Sequence, residues 1–176
     1  MENLILEHAF DAKRNRHYLN GHLVVMHCHH YASLFTQLAL DARELVDGTR
    51  ILQESAEDSF RCMLVEYFTR HQIHGVAERI DIGCKLYGAF GLGLLEVPSN
   101  ESEGGEAVVR HSHLDEGWIR KWGTRQEAVN FITCGYVAAL FAAAYDRPPK
   151  SFTVTETQSI VRGADRSVFQ ARTRQE

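Results

Sequence analysis

The stretch Leu92 to His113, LGLLEVPSNESEGGEAVVRHSH, decides the fold class. Upstream of it the apolar residues recur at helical spacing. Here the period shortens, and Leu92–Val97 and Glu106–His113 read as two strands. Pro98–Gly105 (PSNESEGG) between them is rich in turn-forming residues and reads as a hairpin loop. Antiparallel strands that follow a run of helices point to an α+β fold with a mainly antiparallel sheet packed against several helices.

Working outward, three helices are expected before this hairpin. Tyr31, Leu34, Phe35, Leu38 and Leu45 mark one over 29–46, ended by Gly48. Phe60, Met63, Leu64, Tyr67 and Phe68 mark a second over 52–70. Ile80, Cys84 and Tyr87 mark a third over 76–88. A short strand, HLVVMH over 22–27, follows the turn-like Asn20-Gly21. After the hairpin, Thr124 and Glu127 have capping-box spacing, which predicts a helix over 124–146 that Pro148-Pro149 stop. Residues 151–161 and 167–172 read as a terminal hairpin turning at Gly163-Ala164-Asp165.

The 176 residues suit one domain spanning 1–176. Residues 1–50 form a strand-and-helix extension, and 51–173 form the core. A formal charge of −4 without a basic block argues against direct nucleic-acid binding. No apolar run approaches a membrane span, and Met1–Phe10 lacks a signal-peptide core. A cytoplasmic protein is expected. The cysteines, Cys28, Cys62, Cys84 and Cys134, are widely spaced and expected as free thiols. The last three read as small buried hydrophobes.

The final 45 residues carry a further pattern. A helix with Gly135-Tyr136 and Ala139 is followed by a strand with Glu156, a turn at Gly163 and a strand with Phe169. With the preceding helices and the segment Gly88-Ala89-Phe90-Gly91-Leu92-Gly93, this order over residues 45–173 resembles the 4-vinyl reductase, or predicted hydrocarbon-binding, domain family. The resemblance implies a homodimer, an enclosed pocket for an apolar or cyclic ligand, and a role as sensor or metabolic accessory. Such a role would require a separate signalling or enzyme partner. Many members carry cysteines in the terminal hairpin; the matching positions here are Ser159 and Ser167, which argues against a cysteine site there.

The most unusual chemistry lies in His27-Cys28-His29-His30-Tyr31. Imidazole and thiolate suit zinc or iron. His27 and His30, three apart, share a helix face, and Cys28 at a helix start gains thiolate character from the helix dipole. His111 and His113, alternating on a strand, could close the same site or line a solvent-facing sheet. The metal-ligand candidates are His27, Cys28, His30, His111 and His113. The ligand-binding candidates are His27, Cys28, His30, Tyr31, Phe35, Tyr67 and Tyr136, in a pocket that Phe60, Phe90 and Phe141 also line. Two functions compete: a small-molecule-binding sensor or accessory protein, and a metal-dependent enzyme built on His27-Cys28-His29-His30. His71 reads as a partner of helix-end carbonyls. Trp118 and Trp122 read as a lid, a dimer contact or core. Glu156 reads as the partner of Arg162, Arg166 or Arg172. The GAFGLG segment follows a helix and precedes a strand, the reverse of a dinucleotide loop.

Overall fold

The structure is a computed structural model that describes residues 4–25, 27–102 and 104–174. Its elements run β1 (His8–Asp11), β2 (Arg16–Leu19), β3 (His22–Val24), α1 (His29–Asp41), a 3-10 turn at Ala42–Glu44, α2 (Gly48–Arg70) and α3 (Val76–Ala89). They continue with β4 (Gly93–Glu101), β5 (Gly104–Ser112), α4 (His113–Trp122), α5 (Phe131–Ala144), β6 (Phe152–Gln158), a 3-10 turn at Ile160–Arg162, and β7 (Ser167–Thr173). The two sheets are antiparallel, with orders β1-β2-β3 and β4-β5-β7-β6. The fold is α+β, as the change of period implies.

The core forms around α5. Its sequence, FITCGYVAALFAAA, is apolar on all sides, and Thr133 to Ala144 are buried without a break. A helix of that kind needs partners all round. It packs on α2, α3, β6 and β7. Two glycines permit the approach. A Cβ at Gly135 would strike the backbone of α2 at Gln53, and one at Gly83 of α3 would strike Leu140. Polar groups carried into this core are paired: Tyr136 donates to the Gly83 carbonyl at 2.6 Å, and the Tyr87 hydroxyl lies 2.8 Å from that of Thr133.

Several expectations are corrected. β1 and β2 add a hairpin ahead of the expected strand, which shortens to 22–24; Met26, within its expected range, lies outside the described residues. Gly48 opens α2 rather than ending α1, with Asp47 capping the helix by accepting from Arg50 N–H. A side chain at Gly48 would meet the Ala39 carbonyl at 2.6 Å, which explains the glycine. Residues 113–122 form α4, and the next helix starts at Phe131, capped by Asn130 rather than Thr124. Glu127 instead pairs with Arg43 and Arg125. In the hairpin, strand pairing reaches Glu101 and Gly104, so the turn is shorter than 98–105. Glu103 of that turn lies outside the described residues. Pro98 falls at an irregularity between Glu96 and Ser99, where a missing N–H is tolerated.

Cys134 is buried and Cys84 half-buried, its thiol pushed up to about 12 by burial. Cys62, expected to be buried, is exposed on α2. The expected pocket aromatics mostly fill the core. Tyr136 and Phe141 are fully buried, and Phe60 packs edge-on to Tyr136 at 4.8 Å. A cavity of about 10 Å3 remains beside Tyr67 and Phe90, beneath Asn20 and His22 of the N-terminal hairpin. The roughly 300 Å3 expected of a ligand pocket is therefore not enclosed by these aromatics. Phe35 lies exposed on α1, away from the core.

Candidate functional site: a histidine junction between two helix starts

The helices α1 and α4 both begin with histidine. Cys28 is the N-cap of α1, exposed, with no side-chain capping bond; its carbonyl accepts from Tyr31 N–H. His113 opens α4, whose N-cap Ser112 accepts from Asp115 N–H. The two helices meet where α4 has no side chain: a Cβ on Gly117 would lie 2.6 Å from the His29 Cβ. This close crossing gathers imidazoles. The His29 ring stands 5.7 Å from His113 and 4.3 Å from His30, and His27 stands 6.4 Å from His113 and 5.8 Å from Tyr31.

Burial holds the His29 imidazole below its ordinary range, with the charges of His30 and Arg120 adding to this and Glu116 opposing it. Burial does the same to His113, reinforced by His29 and His27. Neutral rings keep a lone pair available to accept a hydrogen bond or bind a metal. His29 Nε2 is buried and has no hydrogen-bond partner among the described residues. The indole N–H of Trp118, the residue after Gly117, is in the same condition. Trp118 belongs to a small second core with Leu40, Val129 and Val161; Trp122 lies 4.5 Å from it, and the Arg125 guanidinium 5.6 Å.

Behind α4 lies a buried acid pair. Asp115 Oδ2 accepts from the Asn130 side chain at 2.9 Å, and Glu156 Oε2 accepts from Asn130 N–H at 3.1 Å. Ser167 Oγ lies 2.9 Å from Glu156 Oε1 and 3.1 Å from Asp115 Oδ2, and it already accepts from Ile160 N–H. A hydroxyl has one proton to give. It can donate to one carboxylate only, so the other contact requires a protonated carboxyl that donates to Ser167. Burial raises both carboxyls, Glu156 to about 7; the Asp115 charge adds to the rise at Glu156, and the Glu116 charge to that at Asp115. Glu156 is therefore held by Ser167 and Asn130, not by Arg162, Arg166 or Arg172.

The structure thus brings together His27, His29, His30, Tyr31 and His113 of the sequence candidates, with Cys28 as the exposed N-cap of α1. His111 stays on the exposed part of β5; the expected alternation fails because His113 has left the strand for α4. Phe35 touches Tyr31 at 5.0 Å, outside the junction, while Tyr67 and Tyr136 belong to the main core. Among the described residues, no three His, Cys, Asp or Glu side chains converge as a metal ion requires. Asp115 and Asn130, the true partners of this site beside Glu156, escaped the sequence reading. Ser112 and Asp115 have the spacing of a capping box, a signal that was there to be read.

No family model matches the chain, and no curated protein matches it in sequence. Solved structures do. The phenol-responsive sensory domain of the transcription activator PoxR, solved with phenol, superposes with a TM-score of 0.79 at 13% identity, covering 94% of this chain and 84% of that one. A vinyl-4-reductase family protein from Methanocaldococcus jannaschii gives 0.57 at 15% identity, covering 86% and 85%. A trafficking protein particle complex subunit 3 from Naegleria fowleri, covalently bound to palmitic acid, gives 0.56 at 11% identity, covering 84% and 95%. The fold is the one the terminal residues resemble, that of the vinyl-4-reductase proteins.

Proposed function

We propose that this chain is a small-molecule-binding sensor domain whose ligand is a small ring with a polar edge. The ligand is held at the junction of His27, His29, His30 and His113, beside Cys28, Tyr31 and Trp118. One observation carries the reading: among the described residues, His29 Nε2 at the start of α1 and the indole N–H of Trp118 on α4 are buried without partners. Each unpaired buried polar group costs about 1–3 kcal/mol. A ligand offering a donor to the imidazole and an acceptor to the indole recovers that cost. A ring hydroxyl can offer both. The likeness to a phenol-responsive domain along nearly the whole chain supports this ligand class. The domain acts as a homodimer and passes its state to a separate signalling or enzyme partner.

Calorimetric titration with phenol and substituted phenols tests this. Binding should weaken at least tenfold in His29→Ala and in Trp118→Phe, with circular dichroism confirming that both variants are folded. No heat from any of these phenols up to millimolar concentration, or equal binding by both variants, would sink the assignment. The competing reading, a zinc- or iron-dependent enzyme using His27-Cys28-His29-His30, draws on the 5.7 and 6.4 Å spacings of His29 and His27 from His113. Metal analysis of untagged protein separates the two: stoichiometric zinc or iron, lost on Cys28→Ser, would favour the enzyme.

A further inference from the structure

The N-terminal hairpin sets two further histidines face to face, on elements that take no part in the α1–α4 junction. β1 and β2 pair antiparallel, with Phe10 opposite His17 and His8 opposite Leu19. Opposite residues share a face of the sheet, so His8 and His17 stand on one face as diagonal neighbours, within reach of each other's rings. The turn holds that register: Asp11 Oδ1 accepts from the Lys13 and Arg14 N–H groups at 3.0 and 3.1 Å. The Phe10 ring packs against the His17 ring, 4.6 Å away. His8 Nε2 comes to lie 3.0 Å from His17 Nδ1, with the two rings 5.2 Å apart. His8 is exposed and His17 half-buried, so an ion from solution can reach both nitrogens.

We infer that His8 Nε2 and His17 Nδ1 form a site for a divalent transition-metal ion of the zinc, nickel and copper class, which clips β1 to β2.

Three features support a metal ion at this pair. The first is the bite. Two nitrogens bound to one ion at about 2.0–2.1 Å, at an angle between square-planar and tetrahedral, are roughly 2.8–3.4 Å apart. The 3.0 Å separation falls inside that range. Without an ion, one ring must donate a hydrogen to the other across this gap. The ion displaces that hydrogen to the other nitrogen of the same ring, so no charge has to be created. The second is donor type. Imidazole suits zinc, nickel and copper, whereas magnesium and calcium require oxygen. The third is the state of the neighbours. The Asp11 carboxylate is taken up by the turn and by the Arg14 guanidinium at 3.1 Å. His22, on the same sheet face opposite Leu19, is engaged by Glu66 of α2 at 3.3 Å. No third His, Cys, Asp or Glu converges on the pair among the described residues. Water therefore completes the coordination, and the ion stays exchangeable. Opening the hairpin separates His8 from His17 and destroys the site. Occupancy thus stabilises the closed sheet by mass action.

Two ions test this on the full, untagged chain. Nickel(II) reports the place, because it is paramagnetic when six-coordinate and does not oxidise the exposed thiols of Cys28 and Cys62. Added at a small fraction of an equivalent to isotope-labelled protein, it should broaden the amide signals of residues 8–10 and 16–18 before any others. Zinc reports the consequence. At free zinc ten times its dissociation constant, amide exchange in residues 8–24 should slow about tenfold and exchange in α5 should not change. His8→Gln and His17→Gln, each confirmed as folded by circular dichroism, should lose both effects. Broadening that begins at residues 27–30 and 111–113 would assign the metal to the junction and overturn the hairpin site. So would the absence of broadening up to one equivalent, or broadening of residues 8–18 that survives both substitutions. Nickel at the hairpin with no slowing of exchange by zinc would overturn the clip.

Discussion

At the scale of single residues, the acid pair makes stability depend on pH in an unusual direction. A free glutamate ionises near 4.5, whereas Glu156 keeps its proton to about 7. Between those values the folded chain binds more protons than the unfolded one. Its contribution to stability is whole below about 4.5 and is lost as pH rises through 7. The depressed imidazoles of His29 and His113 act oppositely, removing stability as pH falls below their ordinary 6.5. The comparison that isolates the acids is Glu156→Gln, which keeps an acceptor for Asn130 N–H and a donor for Ser167. It should melt several degrees above wild type at pH 8, on the order of 2 kcal/mol, and the gap should close toward pH 5. A variant that melts no higher at pH 8 would place the effect elsewhere. Glu156 was legible in the sequence as a strand carboxylate in need of a partner. Its partners were not, because Asp115, Asn130 and Ser167 lie on three elements that only the tertiary fold joins.

At the scale of elements, the junction depends on one glycine. The α1–α4 crossing leaves no room for a side chain at position 117, so Gly117→Val must push His29 and α4 apart. Overpacking of this kind costs about 1–3 kcal/mol. The variant should remain folded but lower the melting temperature and weaken phenol binding more than His29→Ala does, because it displaces the whole helix start. Calorimetry on both variants checks this; a Gly117→Val protein with wild-type stability and binding would refute the crossing. Beyond the Ser112–Asp115 spacing, little in the sequence supports this helix. HLDEGWIRKW is only ten residues long with glycine near its middle, a poor helix by propensity, and tertiary contact decides it. The α5 helix was easy to see from its apolar run, but its start was not. Two capping signals compete upstream, and Asn130 wins by bonding Thr133 N–H while its amide reaches Asp115.

At the scale of the molecule, the chain is a large body with a small three-stranded sheet attached at one side. That sheet is held by few contacts: the Tyr67 hydroxyl bridges Ile5 N–H and carbonyl at 3.0 and 3.3 Å, Arg70 donates to the Asn20 carbonyl at 2.9 Å, and His22 lies 3.3 Å from Glu66. Its strands, of three or four residues, contain no fully buried residue, which is why alternation in HAFD and RHYL gave no signal. Few buried contacts mean easy local opening. Tyr67→Phe should therefore speed amide exchange in residues 8–24 by about tenfold or less, the loss of one or two hydrogen bonds, and leave exchange in α5 unchanged. Equal acceleration in both regions would mean that the sheet and body unfold together.

The enclosure of α5 also sets the order of events during synthesis. The helix around which every layer gathers is the fifth in the chain, and α2, its most extensive neighbour, is made some sixty residues earlier. Chains emerge N-terminus first at roughly 5–20 residues per second. For several seconds the faces of α2 and α3 that α5 will cover are turned to water, with only the earlier N-terminal segment and α1 to shield part of α2. The centre cannot be completed until the ribosome has passed Ala144, the last residue of α5.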